Sequence, residues 1–88
     1  MKLIIQIPCF NEEYYLPITL SDLPKKIDGI SQVEYLVIDD GSNDRTLDIA
    51  KELGVHHIIS NVTNKGLAFT FKRGIEEALK QGANVIVN

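Results

Sequence analysis

Cysteine occurs once in these 88 residues, at Cys9. One thiol cannot form an internal disulfide, which excludes a disulfide-stapled secreted scaffold and points to a reducing, cytoplasmic setting. No apolar run approaches the ~18–20 residues of a membrane-spanning helix. The opening MKLIIQIPC is too short in its apolar part for a lipoprotein leader, and Pro8 stands where such a leader needs a small residue. Nor is there a lysine–arginine cluster able to track a nucleic-acid backbone, so no nucleic-acid partner is expected. Net charge is −3 and the pI about 5.2. The charge is uneven: residues 1–44 carry three basic and eight acidic groups, residues 45–88 six and four. The acidic half holds the most loop-like motifs, and the imbalance follows from them. Internal repeats, linkers and low-complexity segments are also missing.

What is present is an ordinary globular composition, 44% hydrophobic and 24% charged, in a length that allows one domain. Four short apolar runs read as strands: KLIIQIP, VEYLVIDD, the weaker VHHIIS, and NVIVN. Near-continuous Val/Ile/Leu runs suit strands covered on both faces, as in a parallel sheet. Helical patterns separate them. Leu16, Leu20 and Leu23 form one stripe, with Pro17 acceptable in a first turn and Pro24 after the end. Leu47, Ala50 and Leu53 form a second, with Ser42, Asn43 and Asp44 as possible caps and Gly54 as a stop. Leu67, Phe71, Ile75 and Leu79 form the apolar stripe of a third, with Lys72, Arg73, Glu76, Glu77 and Lys80 opposite and Gly82 ending it. The order β-α-β-α-β-α-β predicts an α/β fold: an open, parallel, four-stranded, Rossmann-like sheet with three right-handed crossover helices on its two faces.

In such sheets ligands bind beyond the carboxyl ends of the strands, where the strand order reverses. The loop PCFNEE follows the first strand. Pro8 directs the chain out of the sheet, Phe10 offers a flat apolar face, Asn11 can cap the next turn, and Glu12 and Glu13 suit the positive end of a helix. A well-capped helix start accounts for Asn11 and Glu13, but not for a proline, an aromatic ring and two acids in one strand-end loop. The loop VIDDGSNDRT follows the second strand. Gly41 permits a close backbone approach, and a carboxylate here can accept hydrogen bonds from a base edge, as it can from a cytosine amine. An Asp-Gly turn with a helix cap accounts for Ser42 to Asp44 and leaves Asp40 unexplained. A third loop, SNVTNKG, leads through Asn64 and Gly66 into the long helix, whose N-terminus can face an anion near Lys65 and Lys72.

Other readings fall on spacing. A calcium loop needs its glycine at the sixth position, and Gly41 comes too early. A dinucleotide fingerprint needs a glycine-rich turn after the first strand, and PCFNEE has none. His56 and His57 are adjacent, so on a strand they face opposite sides and make a poor metal pair. Cys9 reads as a packing residue. Asn61-Val62-Thr63 fits a glycosylation sequon, which matters only in a secreted protein.

The stretches IPCFNEE, EYLVIDDGSNDRT and NKGLAFTFKRGIEEALKQGANVIVN, in that order and spacing, resemble the start of a family 2 nucleotide-sugar glycosyltransferase of the GT-A fold. Within that family they are most similar to polyprenyl-phosphate sugar transferases of the dolichol-phosphate mannose synthase type. The resemblance implies that Pro8, Phe10, Asn11 and Glu12, with Ile38 and Gly66, hold the nucleoside of a GDP- or UDP-sugar. It implies a base contact for Asp40 and a loop-orienting role for Asp39. Phe10 replaces the family's common tyrosine, and Lys72 a frequent arginine. In the family, the strand matching VIVN runs into a D-x-D motif that holds Mg²⁺ or Mn²⁺, and the catalytic base and acceptor site follow. Residues 1–88 are therefore expected to be the truncated nucleotide-binding N-terminal part of a glycosyltransferase, inert by themselves and without a metal of their own. The parent is expected to serve a lipid-linked acceptor such as polyprenyl phosphate at the cytoplasmic face of a membrane, in cell-wall or glycolipid synthesis. An exposed sheet edge or face is expected to cause self-association. The alternatives are a structural fragment that binds nothing, and a receiver-like signalling module using Asp39 and Asp40.

Overall fold

A computed structural model describes all 88 residues. The chain runs β1 (Lys2–Cys9), α1 (Leu16–Asp22), β2 (Gln32–Asp39), α2 (Thr46–Glu52), β3 (His57–Ser60), α3 (Leu67–Lys80) and β4 (Val85–Val87). The strands form one parallel sheet in the order β3-β2-β1-β4. The expected alternation and sheet are both present. The order reverses direction between β1 and β4, so the carboxyl end of β1 lies at the topological switch point.

Each strand splits its side chains between two layers because the strand period is two. Leu3, Ile5 and Cys9 of β1 and Tyr35 and Val37 of β2 pack against Leu16 and Leu20 of α1 and Ala50 of α2. Ile4 of β1 and Leu36 and Ile38 of β2 face the other way, against Ala78 of α3. Pro17 sits in the first turn of α1, where its missing N–H costs no bond, and Pro24 lies just beyond the helix end. Gly54, at φ +70°, closes α2 as expected.

The helix faces differ from the periodicity in an informative way. On α3 the residues against the sheet are Thr70, Gly74 and Ala78, not the apolar stripe. Leu67 is 73% exposed and Leu79 60%, and Phe71 is also exposed. The small residues win because the helix sits close on the sheet: a Cβ at Gly74 would lie 2.8 Å from Ile38 Cδ1 and collide with the buried Gln6 side chain. The upper part of the stripe, Leu67, Ala68 and Phe71, instead walls an apolar hollow of about 670 Å³ with Pro8 and Asn88. On α2, similarly, Thr46 and Ala50 are buried while Leu53 is half exposed. His56 precedes β3 rather than belonging to it, and its Nδ1 accepts the Tyr35 N–H at 3.0 Å. His57 Nε2 lies 2.8 Å from Glu34 Oε1, which also pairs with Lys2 at 3.4 Å.

Two outcomes follow. Gly74→Val overpacks the α3–sheet contact and should lower the unfolding free energy by about 1–3 kcal/mol, read as a reduced urea midpoint at unchanged m-value. The uncovered apolar flank should make these 88 residues self-associate with concentration, and Leu79→Glu should weaken that association in sedimentation equilibrium without lowering the urea midpoint.

Candidate functional site

Three loops meet above the carboxyl ends of β1, β2 and β3, and hydrogen bonds lock each to the next. The first and second are zipped together. Asn11 takes φ +53°, a left-handed conformation that asparagine tolerates better than most residues. That turn lets its N–H donate to Ser42 Oγ at 2.9 Å while its Oδ1 accepts the Asn43 N–H at 2.8 Å. Glu12 N–H donates to Thr46 Oγ1 at 2.8 Å, and Glu13 N–H to Asp44 Oδ2 at 3.2 Å. Asn11 thus joins two loops instead of capping α1, whose N-cap is Tyr15 and has no side-chain bond. The N-cap of α2 is Arg45, again without a side-chain bond, and Asp44 just before it accepts the Thr46 N–H at 2.9 Å.

The second and third loops are joined by Asp40. This buried carboxylate accepts from Asn61 Nδ2 (2.8 Å) and Lys65 N–H (2.8 Å) on Oδ1, and from Asn64 Nδ2 (3.0 Å) and Gly66 N–H (2.9 Å) on Oδ2. Asn61 Nδ2 also donates to Thr70 Oγ1 at 3.0 Å, and its Oδ1 accepts from Arg73 Nη1 at 2.6 Å. The turn-and-cap account left Asp40 without a structural reason; the third loop supplies it. The anion at the entry to α3 is the protein's own carboxylate, which takes the Lys65 and Gly66 amides. Gly41, at φ +72°, is required by the same closure, since a Cβ there would lie 2.6 Å from Asn64 N and 2.7 Å from Thr63 C. The sequon asparagine, Asn61, is only 4% exposed with both amide atoms engaged, so the folded loop cannot present it for glycosylation.

A cleft of about 280 Å³ opens between these loops, lined by Pro8, Cys9, Phe10, Glu12, Asp40, Asn64, Gly66, Leu67 and Thr70. Five of the sequence-predicted residues, Pro8, Phe10, Glu12, Asp40 and Gly66, come together there. Phe10 is half exposed, and Glu12, whose backbone N–H is held by Thr46, lines the cleft beside it. Asn11, Ile38 and Asp39 do not line it. Ile38 is wholly buried under α3, and Asp39 points into the opposite layer, near Cys9. The two adjacent acids therefore lie on opposite faces of the sheet, which removes the shared acid site of a receiver-like module. Burial, together with the nearby Glu12, Asp39 and Asp44, pushes the Cys9 thiol up to about 12, so it packs and does not react. Sequence reasoning missed Cys9, Asn64, Leu67 and Thr70 as cleft residues and Asn61 and Arg73 as their support. The polar residues of SNVTN directly before a helix were the available signal.

No three of the histidine, cysteine, aspartate and glutamate side chains converge as a metal-ligand set. The Mg²⁺ or Mn²⁺ implied by the resemblance does not fit the residues present: Asp40 is saturated by N–H donors, and Asp39 faces away. No helix is long and apolar enough to cross a membrane.

A parallel α/β sheet of this order, with its cleft over the first two strand ends, is of the open, Rossmann-like type that binds ligands at its switch point. The chain belongs to Glycosyl transferase family 2, whose profile matches residues 4–87. It is 32% identical over 91 residues to an undecaprenyl-phosphate mannosyltransferase of Micrococcus luteus, with 99% of this chain and 36% of that protein covered. It is 35% identical over 81 residues to a dolichol-phosphate mannosyltransferase of Pyrococcus furiosus, covering 89% of this chain and 23% of the relative. Among solved structures, that of Staphylococcus aureus TarS residues 1–349 superposes with a TM-score of 0.61 at 30% identity, over 93% of this chain and 24% of the other. The chain spans about a third or less of the length of these proteins.

Burial by itself would raise the Asp40 pKa, but the donors from Lys65, Asn61, Gly66 and Thr70 outweigh it and hold the carboxyl below its usual value. A depressed folded-state pKa stabilises above the unfolded value of about 3.9 and loses that contribution as pH falls through the folded value. Asp44 is lowered as well. Stability should therefore fall steeply below about pH 4. Asp40→Asn should cost about 2–3 kcal/mol at pH 7, because an amide cannot accept on both sides. It should also flatten the acid limb of the stability profile, measured by urea unfolding from pH 2 to 7.

Proposed function

We propose that these 88 residues are the nucleoside-binding portion of a glycosyltransferase whose donor is a nucleotide-sugar, GDP- or UDP-linked. The observation that carries this is the cleft at the switch point. It combines a half-exposed ring at Phe10, a carboxylate at Glu12 and the glycine-lined entry to α3 at Gly66, on a frame already closed by the family's loops. The Phe10 ring suits stacking on a base, and Glu12 suits the donor hydroxyls of a ribose. Asp40 forms the cleft wall and offers a base N–H at most a shared oxygen, since each of its oxygens already accepts twice. Asn11, Ile38 and Asp39 support the binding loops from behind.

The parent polypeptide, in this proposal, passes the sugar to an acceptor such as a polyprenyl phosphate at the cytoplasmic face of a membrane. The names of the Micrococcus and Pyrococcus relatives support that acceptor class. Mg²⁺ or Mn²⁺ in the parent is held by residues outside these 88, and the transfer step belongs to the parent. A domain of this family that binds no donor is the competing reading, and ligand titration separates the two.

Titration with UDP, GDP and their sugars, with and without Mg²⁺, should move the amide resonances of residues 8–13 and 64–67 at millimolar concentrations and leave those of α1's outer face unmoved. No movement at millimolar ligand in a well-folded sample would sink nucleotide binding by these residues.

A further inference from the structure

Arg73 lies on α3 outside the cleft, yet the hydrogen-bond polarity of the whole third loop runs back to it. Its Nη1 donates to Ser60 O and to Asn61 Oδ1, each at 2.6 Å. A guanidinium has only donors. The atom of Asn61 that faces Arg73 must therefore be the oxygen, and the Nδ2 end must face inward. There it donates to Asp40 Oδ1 and Thr70 Oγ1. The buried Thr70 hydroxyl thus ties the first turn of α3 to the same amide that holds the carboxylate. Asp40 in turn gathers the Lys65 and Gly66 amides and the Asn64 side chain. Gly66, Asn64, Thr70 and Asp40 are all cleft residues. If the Asn61 amide turned over, its N–H₂ would meet the guanidinium and its oxygen would meet a buried carboxylate, two like-polarity contacts in a site with little water.

We infer that Arg73, acting through Asn61, is a positioning residue that sets the orientation of the Asp40–Thr70–Asn61 network and so holds the Asn61–Gly66 wall of the cleft in its binding shape. Neither residue was singled out for the site by its sequence pattern. Arg73 reads as one of five charges on a helix's polar side, and Asn61 as part of a sequon. The ligand part of the inference rests on the nucleotide-binding proposal; the coupling part does not.

The test compares wild type with Arg73→Met, which removes the donors, and Arg73→Lys, which restores one, using the intact 88-residue chain. In the free protein, Arg73→Met should speed hydrogen exchange at the Lys65 and Gly66 amides by at least about tenfold relative to the β1 and β2 core amides. It should also raise the acid midpoint of the Asp40 carboxyl carbon followed by ¹³C NMR. Arg73→Lys should recover most of both effects. With UDP and GDP as probes, Arg73→Met should weaken whichever diphosphate the wild type binds by about tenfold, a loss in the range of one buried charge-assisted bond. A general loosening of α3 would speed exchange along the whole helix and leave the Asp40 midpoint in place, and that outcome overturns the inference. So does unchanged exchange at Lys65 and Gly66. If wild type shows the coupling but neither diphosphate shifts it, the nucleotide proposal fails and only the role of Arg73 in shaping the loop stands. If wild type binds and Arg73→Met binds equally well, the nucleotide proposal stands and the role of Arg73 in binding is refuted.

Discussion

A carboxylate taken out of water must be repaid with donors, and Asp40 receives four of them from one short loop. That requirement organises the upper end of the molecule. Asp40 directly follows β2, so its position is set by the sheet, and its donors have to come to it. The chain after β3 folds inward to bring Asn61, Asn64, Lys65 and Gly66 together, and α3 begins where that loop ends. Gly41 is small because the third loop's backbone passes against it. The cleft is the space left between this closed loop and the loop after β1.

The same end of the sheet shows how adjacent residues are given separate tasks. Asp39 and Asp40 sit one step apart on an extended chain, and the period of two sends them to opposite layers. Asp39 belongs to the α1–α2 side with Cys9, and Asp40 to the α3 side with Thr70. The loop after β1 is held by a second set of bonds, from Asn11, Glu12 and Glu13 to Ser42, Asp44 and Thr46. Each loop is therefore fixed by its neighbour rather than by its own turn chemistry. Cross-loop bonds of this kind leave the walls of the cleft already ordered, and preordered walls lower the cost of binding at a site.

Much of the fold was legible along the chain. The β-α-β-α-β-α-β order, the parallel sheet, Pro17 and Pro24 at the ends of α1 and Gly54 at the end of α2 follow from apolar runs and from backbone constraints local to each residue. Five cleft residues, Pro8, Phe10, Glu12, Asp40 and Gly66, were legible for a related reason: strand-end loops in parallel sheets are where ligands bind. The core-facing side of α3 was not. Periodicity favoured Leu67, Phe71, Ile75 and Leu79, but close helix–sheet packing selects small residues, and Thr70, Gly74 and Ala78 carry no strong hydrophobic signal. The roles of Asn61 and Arg73 were hidden because both act across more than ten residues of chain, through bonds that no local pattern encodes.

By itself, then, the sequence determined the element order, the parallel topology, the loops that carry chemistry and the family to which they belong. These depend on periods of two and 3.6 residues and on residues whose backbone preferences act in place. The tertiary structure decided which face of each helix meets the sheet, which of two neighbouring acids enters the cleft, and which distant side chains hold it open. Those outcomes depend on close approach and on bringing donors to buried polar groups such as Asp40 and Asn61, and such conditions arise only when the three loops meet.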